Sequence, residues 1–90
     1  MSDQGRKDGP PDIAAWVKGV TRKLVDRPDE VTVETVREED ADVFEVRVAQ
    51  EEMGRVIGRQ GRTVQAMRAL LDAAAEKHGA AYELEILDEE

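Results

Sequence analysis

The run Gly54-Arg-Val-Ile-Gly58-Arg59-Gln60-Gly61-Arg62 constrains this chain more than any other stretch. Before it, Met53, Val56 and Ile57 form a short apolar stripe that Gly58 cuts off. After it, Val64, Met67, Leu70, Leu71, Ala74 and His78 repeat with the period of one helix face. The fold must therefore hold two helices joined by a tight break. Glycine at both ends of that break admits backbone conformations that other residues resist, and removes the Cβ that would keep a ligand away. The second helix starts directly afterwards, so its unpaired N–H groups and positive dipole end point at whatever lies over the loop. A phosphodiester backbone suits such a surface. So does a plain helix–helix turn, since G-x-x-G matches arise by chance.

Around this break the chain divides into short elements. Asp12 is placed to N-cap a helix over about 12–26, in which Ile13, Trp16, Val17, Val20 and Leu24 share a face. Pro28 then turns the chain at Arg27. Val31–Val36 is rich in β-branched residues, and Val43–Val48 sets Phe44, Val46 and Val48 opposite Glu45 and Arg47. The polar Glu38-Glu39-Asp40 fits a hairpin loop between these strands. Gln50-Glu51-Glu52 supplies acids where a helix's first turn favours them. Gly79 suits the end of the long helix, with Lys77 and His78 at the negative end of its dipole. A last strand, Ala81–Leu87, alternates Tyr82, Leu84 and Ile86 with Glu83 and Glu85. The three aromatics, Trp16, Phe44 and Tyr82, are expected on inward faces. The predicted order is α-β-β-α-α-β, an α+β sandwich with three helices on one side of a three-stranded sheet. Residues 1–11 read as a disordered tail, 12–87 as the folded domain and 88–90 as a solvated acidic end.

Composition narrows the functional classes. With 90 residues and 40% apolar content there is material for one core and not for two. The absence of cysteine excludes disulfides, thiolate metal sites and cysteine nucleophiles, and the single histidine, His78, excludes multi-histidine metal sites. The carboxylates fall in solvated runs without a paired partner, so neither catalysis nor a metal or cofactor is expected. The longest apolar run, Ile13–Val17, is too short for a membrane span, and residues 1–11 lack the apolar stretch of a secretory signal. A cytoplasmic address follows as the expectation.

Thirteen Lys+Arg against 21 Asp+Glu leave a net charge of −8, which as an average argues against nucleic acid. Its distribution reverses the inference. Met53–Leu71 holds Arg55, Arg59, Arg62 and Arg68 and no acid, while the remainder carries nine bases and 21 acids, a net −12. Arginine suits bidentate contact with phosphate. With few aromatics the chain also lacks the exposed stacking stripe of RRM and cold-shock modules.

The segment Met53–Arg62 resembles the V-I-G-x-x-G signature of KH domains, and two strands before it with one after resemble the type II arrangement. Leu24–Val31, Val48–Gly54 and the Ala-rich helix after Arg62 are similar to the bacterial single-KH proteins of the KhpA (YlqC-type) family. This likeness spans about 12–87 and implies binding of single-stranded RNA without catalysis. Carried over by position, Gly58 and Gly61 bracket a clamp on the RNA backbone, and Arg59 and Gln60 form its tip. Arg55 and Arg62 hold phosphates at the rim, and Val56 and Ile57 contribute to an apolar groove or to the core. The resemblance further implies a homodimer, or pairing with a larger KH protein of the KhpB/Jag type. It also implies a role as RNA chaperone or post-transcriptional regulator linked to cell elongation and envelope control. A protein-interaction module on the same scaffold is the alternative, with a DNA-binding helix-turn-helix behind it.

Overall fold

The computed structural model describes residues 12–89; the expected tail at 1–11 and Glu90 lie outside the described residues. Helix α1 runs Ile13–Leu24, and the Asp12 side chain caps it by accepting from the Ala15 N–H at 3.0 Å. A single 3-10 turn at Pro28–Glu30 leads into strand β1, Thr32–Glu38. Strand β2, Ala41–Ala49, follows a two-residue turn, too short to allow anything but antiparallel pairing. Helices α2, Met53–Ile57, and α3, Arg62–His78, then carry the chain back to the start of the sheet. Strand β3, Tyr82–Glu89, therefore pairs parallel to β2. The sheet order is β1-β2-β3, and the element order is the α-β-β-α-α-β expected of a type II KH fold.

The helix-facing side of the sheet carries Phe44, Val46, Val48 and Leu84, which meet Val17 of α1, Val56 of α2 and Val64, Met67 and Leu71 of α3. Thr21 is buried beside Val17 without an orphaned polar group, because its hydroxyl donates to the Val17 carbonyl at 2.8 Å. At the far end Gly79 adopts a left-handed conformation, and the Ala80 N–H reaches the Ala75 carbonyl at 2.9 Å to close α3. The opposite side of the sheet is acidic. Glu34, Glu45 and Glu85 occupy one cross-strand row.

Four expectations need correction. Helix α1 stops at Leu24 because Val25 turns extended and enters the core. Strand β3 continues past Leu87 through Asp88 and Glu89, which pair with Val48 and Ala49. Trp16 does not face inward, and Leu70 does not join the core: they are 39% and 57% exposed. In both helices the apolar stripe is wider than the sheet can cover. The line through Val17 and Thr21 and the line through Met67, Leu71 and Ala75 are buried, and the flanks stay open.

Candidate functional site

Between α2 and α3, Arg59–Gly61 form one 3-10 turn, closed by the Gly61 N–H to the Gly58 carbonyl at 3.0 Å. Gly58 (φ 82°), Gln60 (φ 57°) and Gly61 (φ 73°) all have positive φ. The two glycines are needed for different reasons. A Cβ on Gly58 would collide with the Thr63 side chain and sit 2.8 Å from the Thr63 main-chain nitrogen. Around Gly61 the nearest atom to such a Cβ is 4.0 Å away, so only its backbone conformation calls for glycine. The tip residues Arg59 and Gln60 are exposed. Gly61 provides no side-chain cap to α3, and the first turn of α3 contains no acid. The positive end of this helix is thus left open to an anion.

The four arginines of the basic segment separate in space. The Arg59 side chain makes no hydrogen bond or ion pair with another described residue. Arg62 stays at the loop, donating to Gln60 Oε1 at 3.3 Å. Arg55 is bridged to Asp26 at 3.1 Å, so an acid remote in sequence neutralises part of the local charge. Arg68 points elsewhere and donates to the Leu84 carbonyl at 3.2 Å. Of the two apolar positions, Val56 is 0% exposed and belongs to the core. A side chain without accessible surface supports the loop from beneath and offers nothing to a ligand. Ile57 is half-buried against the core.

One residue at the base of the site, read from the sequence only as a first-turn acid, has a different role in the fold. Glu52 is 4% exposed and accepts from the main-chain N–H groups of Asp26 (2.7 Å) and Arg27 (3.2 Å). Its neighbour Glu51 bridges Arg27 at 3.1 Å. The Glu51 carboxyl is held below its ordinary range, first by its own main-chain N–H and then by the Arg27 hydrogen bond and charge. These contacts tie the start of α2 to the connection after α1. Nothing local signals them, because the partners lie about two dozen residues upstream.

Among the described residues no group of three or more His, Cys, Asp or Glu is placed to hold a metal ion. No described helix is long and apolar enough to cross a membrane.

Residues 14–86 match the family described as KhpA/KhpB, KH domain. The chain is 46% identical over 69 residues to the RNA-binding protein KhpA of Treponema pallidum (strain Nichols), covering 77% of this chain and 86% of that one. It is 40% identical over 72 residues to the RNA-binding protein KhpA of Borreliella burgdorferi, covering 80% and 88%. A third KhpA, from Caldanaerobacter subterraneus subsp. tengcongensis, is 48% identical over 61 residues, covering 68% and 81%. With the fold, the loop and the sequence in agreement, the chain belongs to the KhpA/KhpB family of KH domains.

Proposed function

We propose that this protein binds single-stranded RNA without catalysis, holding the backbone at the Gly58–Gly61 loop. The observation that carries the reading is the loop itself. Its positive-φ turn leaves Arg59 and Gln60 exposed over the uncapped start of α3, with Arg62 beside it. A phosphate there meets an arginine fork and the positive end of a helix dipole. The relatives named as RNA-binding proteins support the same reading. Ile57 is the apolar neighbour available to a base, and Arg55 joins in only by leaving Asp26.

A lone KH surface grips about four nucleotides, so useful affinity calls for two such surfaces in one assembly. A homodimer, or pairing with a KhpB/Jag-type protein, supplies that. Such an assembly would act in the cytoplasm as an RNA chaperone or post-transcriptional regulator, on transcripts of cell elongation and envelope control. The direct test is Arg59→Asp with Gln60→Asp. Both positions are exposed, and Asp tolerates the left-handed backbone at 60. A folded double variant should lose single-stranded RNA binding by more than tenfold, roughly the cost of repelling one or two phosphates. Undiminished binding would refute the clamp, and binding to a protein partner alone would favour the interaction-module alternative.

A further inference from the structure

Arg55 stands three residues ahead of Gly58 and is exposed, yet its guanidinium already holds an anion. Asp26, from a distant part of the chain, meets it at 3.1 Å. Asp26 lies in the short connection between α1 and the 3-10 turn at Pro28–Glu30, outside any helix or strand. An exposed ion pair on such a connection is ordinarily weak, because two mobile side chains must be held in one geometry. Here the connection itself is held. The Glu52 carboxylate, 4% exposed, accepts from the Asp26 N–H at 2.7 Å and the Arg27 N–H at 3.2 Å. The Arg27 side chain is tied in turn to Glu51 at 3.1 Å and Glu30 at 3.6 Å.

Glu52 and Arg55 are three residues apart where α2 begins, so they share one face. The buried carboxylate fixes the main chain at Asp26, and the exposed arginine meets the side chain of that same residue. The fold thus delivers the Asp26 carboxylate to Arg55. The Arg59 side chain differs, having no ion pair or hydrogen bond with another described residue.

A guanidinium takes a carboxylate and a phosphate through the same donors, so the two compete for it. Along the helix axis Arg55 lies about 4.5 Å from Gly58, close to one nucleotide step of a single strand. A strand anchored at the loop therefore brings its next phosphate to an arginine that is already occupied. Both anions are tethered, one by the fold and one by the strand, so neither wins on concentration alone. An exposed pair is worth only a few-fold in affinity, which makes Asp26 a moderator of binding and not a block. Two phosphate positions follow, one open at Arg59 and one contested at Arg55.

We propose that Asp26 is a built-in competitor for the RNA backbone, holding Arg55 in the free protein and releasing it to the phosphate next to the loop. The proposal rests on the RNA-binding reading and makes Asp26 a determinant of how tightly a strand is held beyond the loop. With oligouridine of about eight nucleotides at about 0.05 M salt, Asp26→Asn should tighten binding about two- to fivefold. The gain should fade toward about 0.5 M salt, where exposed charges are screened. Asparagine keeps the main-chain N–H that Glu52 accepts from, so urea unfolding should be little changed. In an Arg55→Gln protein the same Asp26→Asn change should alter affinity by less than about 1.5-fold, because no arginine is left to release. Asp29→Asn, which removes another exposed acid of the same connection, should also stay below about 1.5-fold. In the Asp26→Asn protein, adding Arg55→Gln should lower the magnitude of the salt slope by about 0.7.

No gain in Asp26→Asn, an equal gain in the Arg55→Gln protein, or a slope that Arg55→Gln leaves unchanged would each overturn the competitor. The second of these would reduce Asp26 to one negative charge among many. Its failure is distinguishable from failure of the loop. If Asp26→Asn tightens binding through Arg55 while Arg59→Asp with Gln60→Asp leaves binding undiminished, the competitor stands and the clamp falls. If the loop variant loses binding and Asp26→Asn gains nothing, the clamp stands and the competitor falls.

Discussion

Gly58 and Gly61 look equivalent in the sequence and differ in the fold. Gly58 combines φ 82° with a ψ of 167°, a region that side chains avoid, and has Thr63 packed where its Cβ would go. Gly61 has an ordinary left-handed conformation and open space around it. Gly58→Ala should therefore lose more stability than Gly61→Ala, about 3 kcal/mol or more against about 1 kcal/mol in urea unfolding. Equal losses would mean that Thr63 moves aside freely. The need for glycine was legible in the sequence, but which glycine also lacked space was not. That depends on where the first turn of α3 falls. For Val56 the sequence left core and groove open, since an apolar residue beside a loop fits either. Only the packing of α2 against the core decides it.

At the scale of elements, the patterns that repeat locally were readable. The alternation in β2, the caps at Asp12 and Gly79 and the stop at Gly58 all depend on residues a few positions apart. Long-range polar ties were not readable. Glu52 joins α2 to the connection after α1 through two main-chain N–H groups, and truncating it leaves both without their acceptor. Glu52→Ala should cost about 2–4 kcal/mol, and Glu52→Gln less, because the amide oxygen still accepts. Glu51 adds a small pH dependence. Its folded carboxyl titrates below its ordinary value of 4.5, held there first by its own main-chain N–H and then by Arg27, so these contacts stabilise the fold above that value. The contribution disappears as pH falls through the folded value. Urea midpoints of the unmodified protein and Glu51→Gln should differ slightly near about pH 7 and coincide near about pH 2. A gap that widens in acid would contradict this sign.

Across the whole molecule, two misplacements converge on one surface. Trp16 and Leu70 each fall on the apolar stripe of a helix, and periodicity gives the apolar side of a helix and not how much of it finds cover. In the fold they line the same groove between α1 and α3, with Ile13, Leu71 and Ala74. Arg68 and the β3 edge lie on the other flank of α3. A second copy seated on the α1–α3 groove would leave both loops free, as the proposed dimer requires. Leu70→Lys should convert a dimer to a monomer in sedimentation without unfolding it, since Leu70 is largely exposed. A monomer before the substitution would remove self-association at this groove. Charge also separates at this scale. The Glu34-Glu45-Glu85 row lies on the outer face of the sheet, away from the helices, while Arg59 and Arg62 stand at the loop. Among the described residues the basic loop and the acidic sheet face are thus separate surfaces.

The central claim is that phosphates are held at the Gly58–Gly61 loop, and the salt dependence of RNA affinity reads it directly. If Arg59 and Arg62 each neutralise one phosphate of a single strand, log K against log salt should fall with a slope of about −1.4. Arg59→Gln should reduce its magnitude by about 0.7, because one counterion fewer is released. A slope near zero, or one that Arg59→Gln leaves unchanged, would contradict the account.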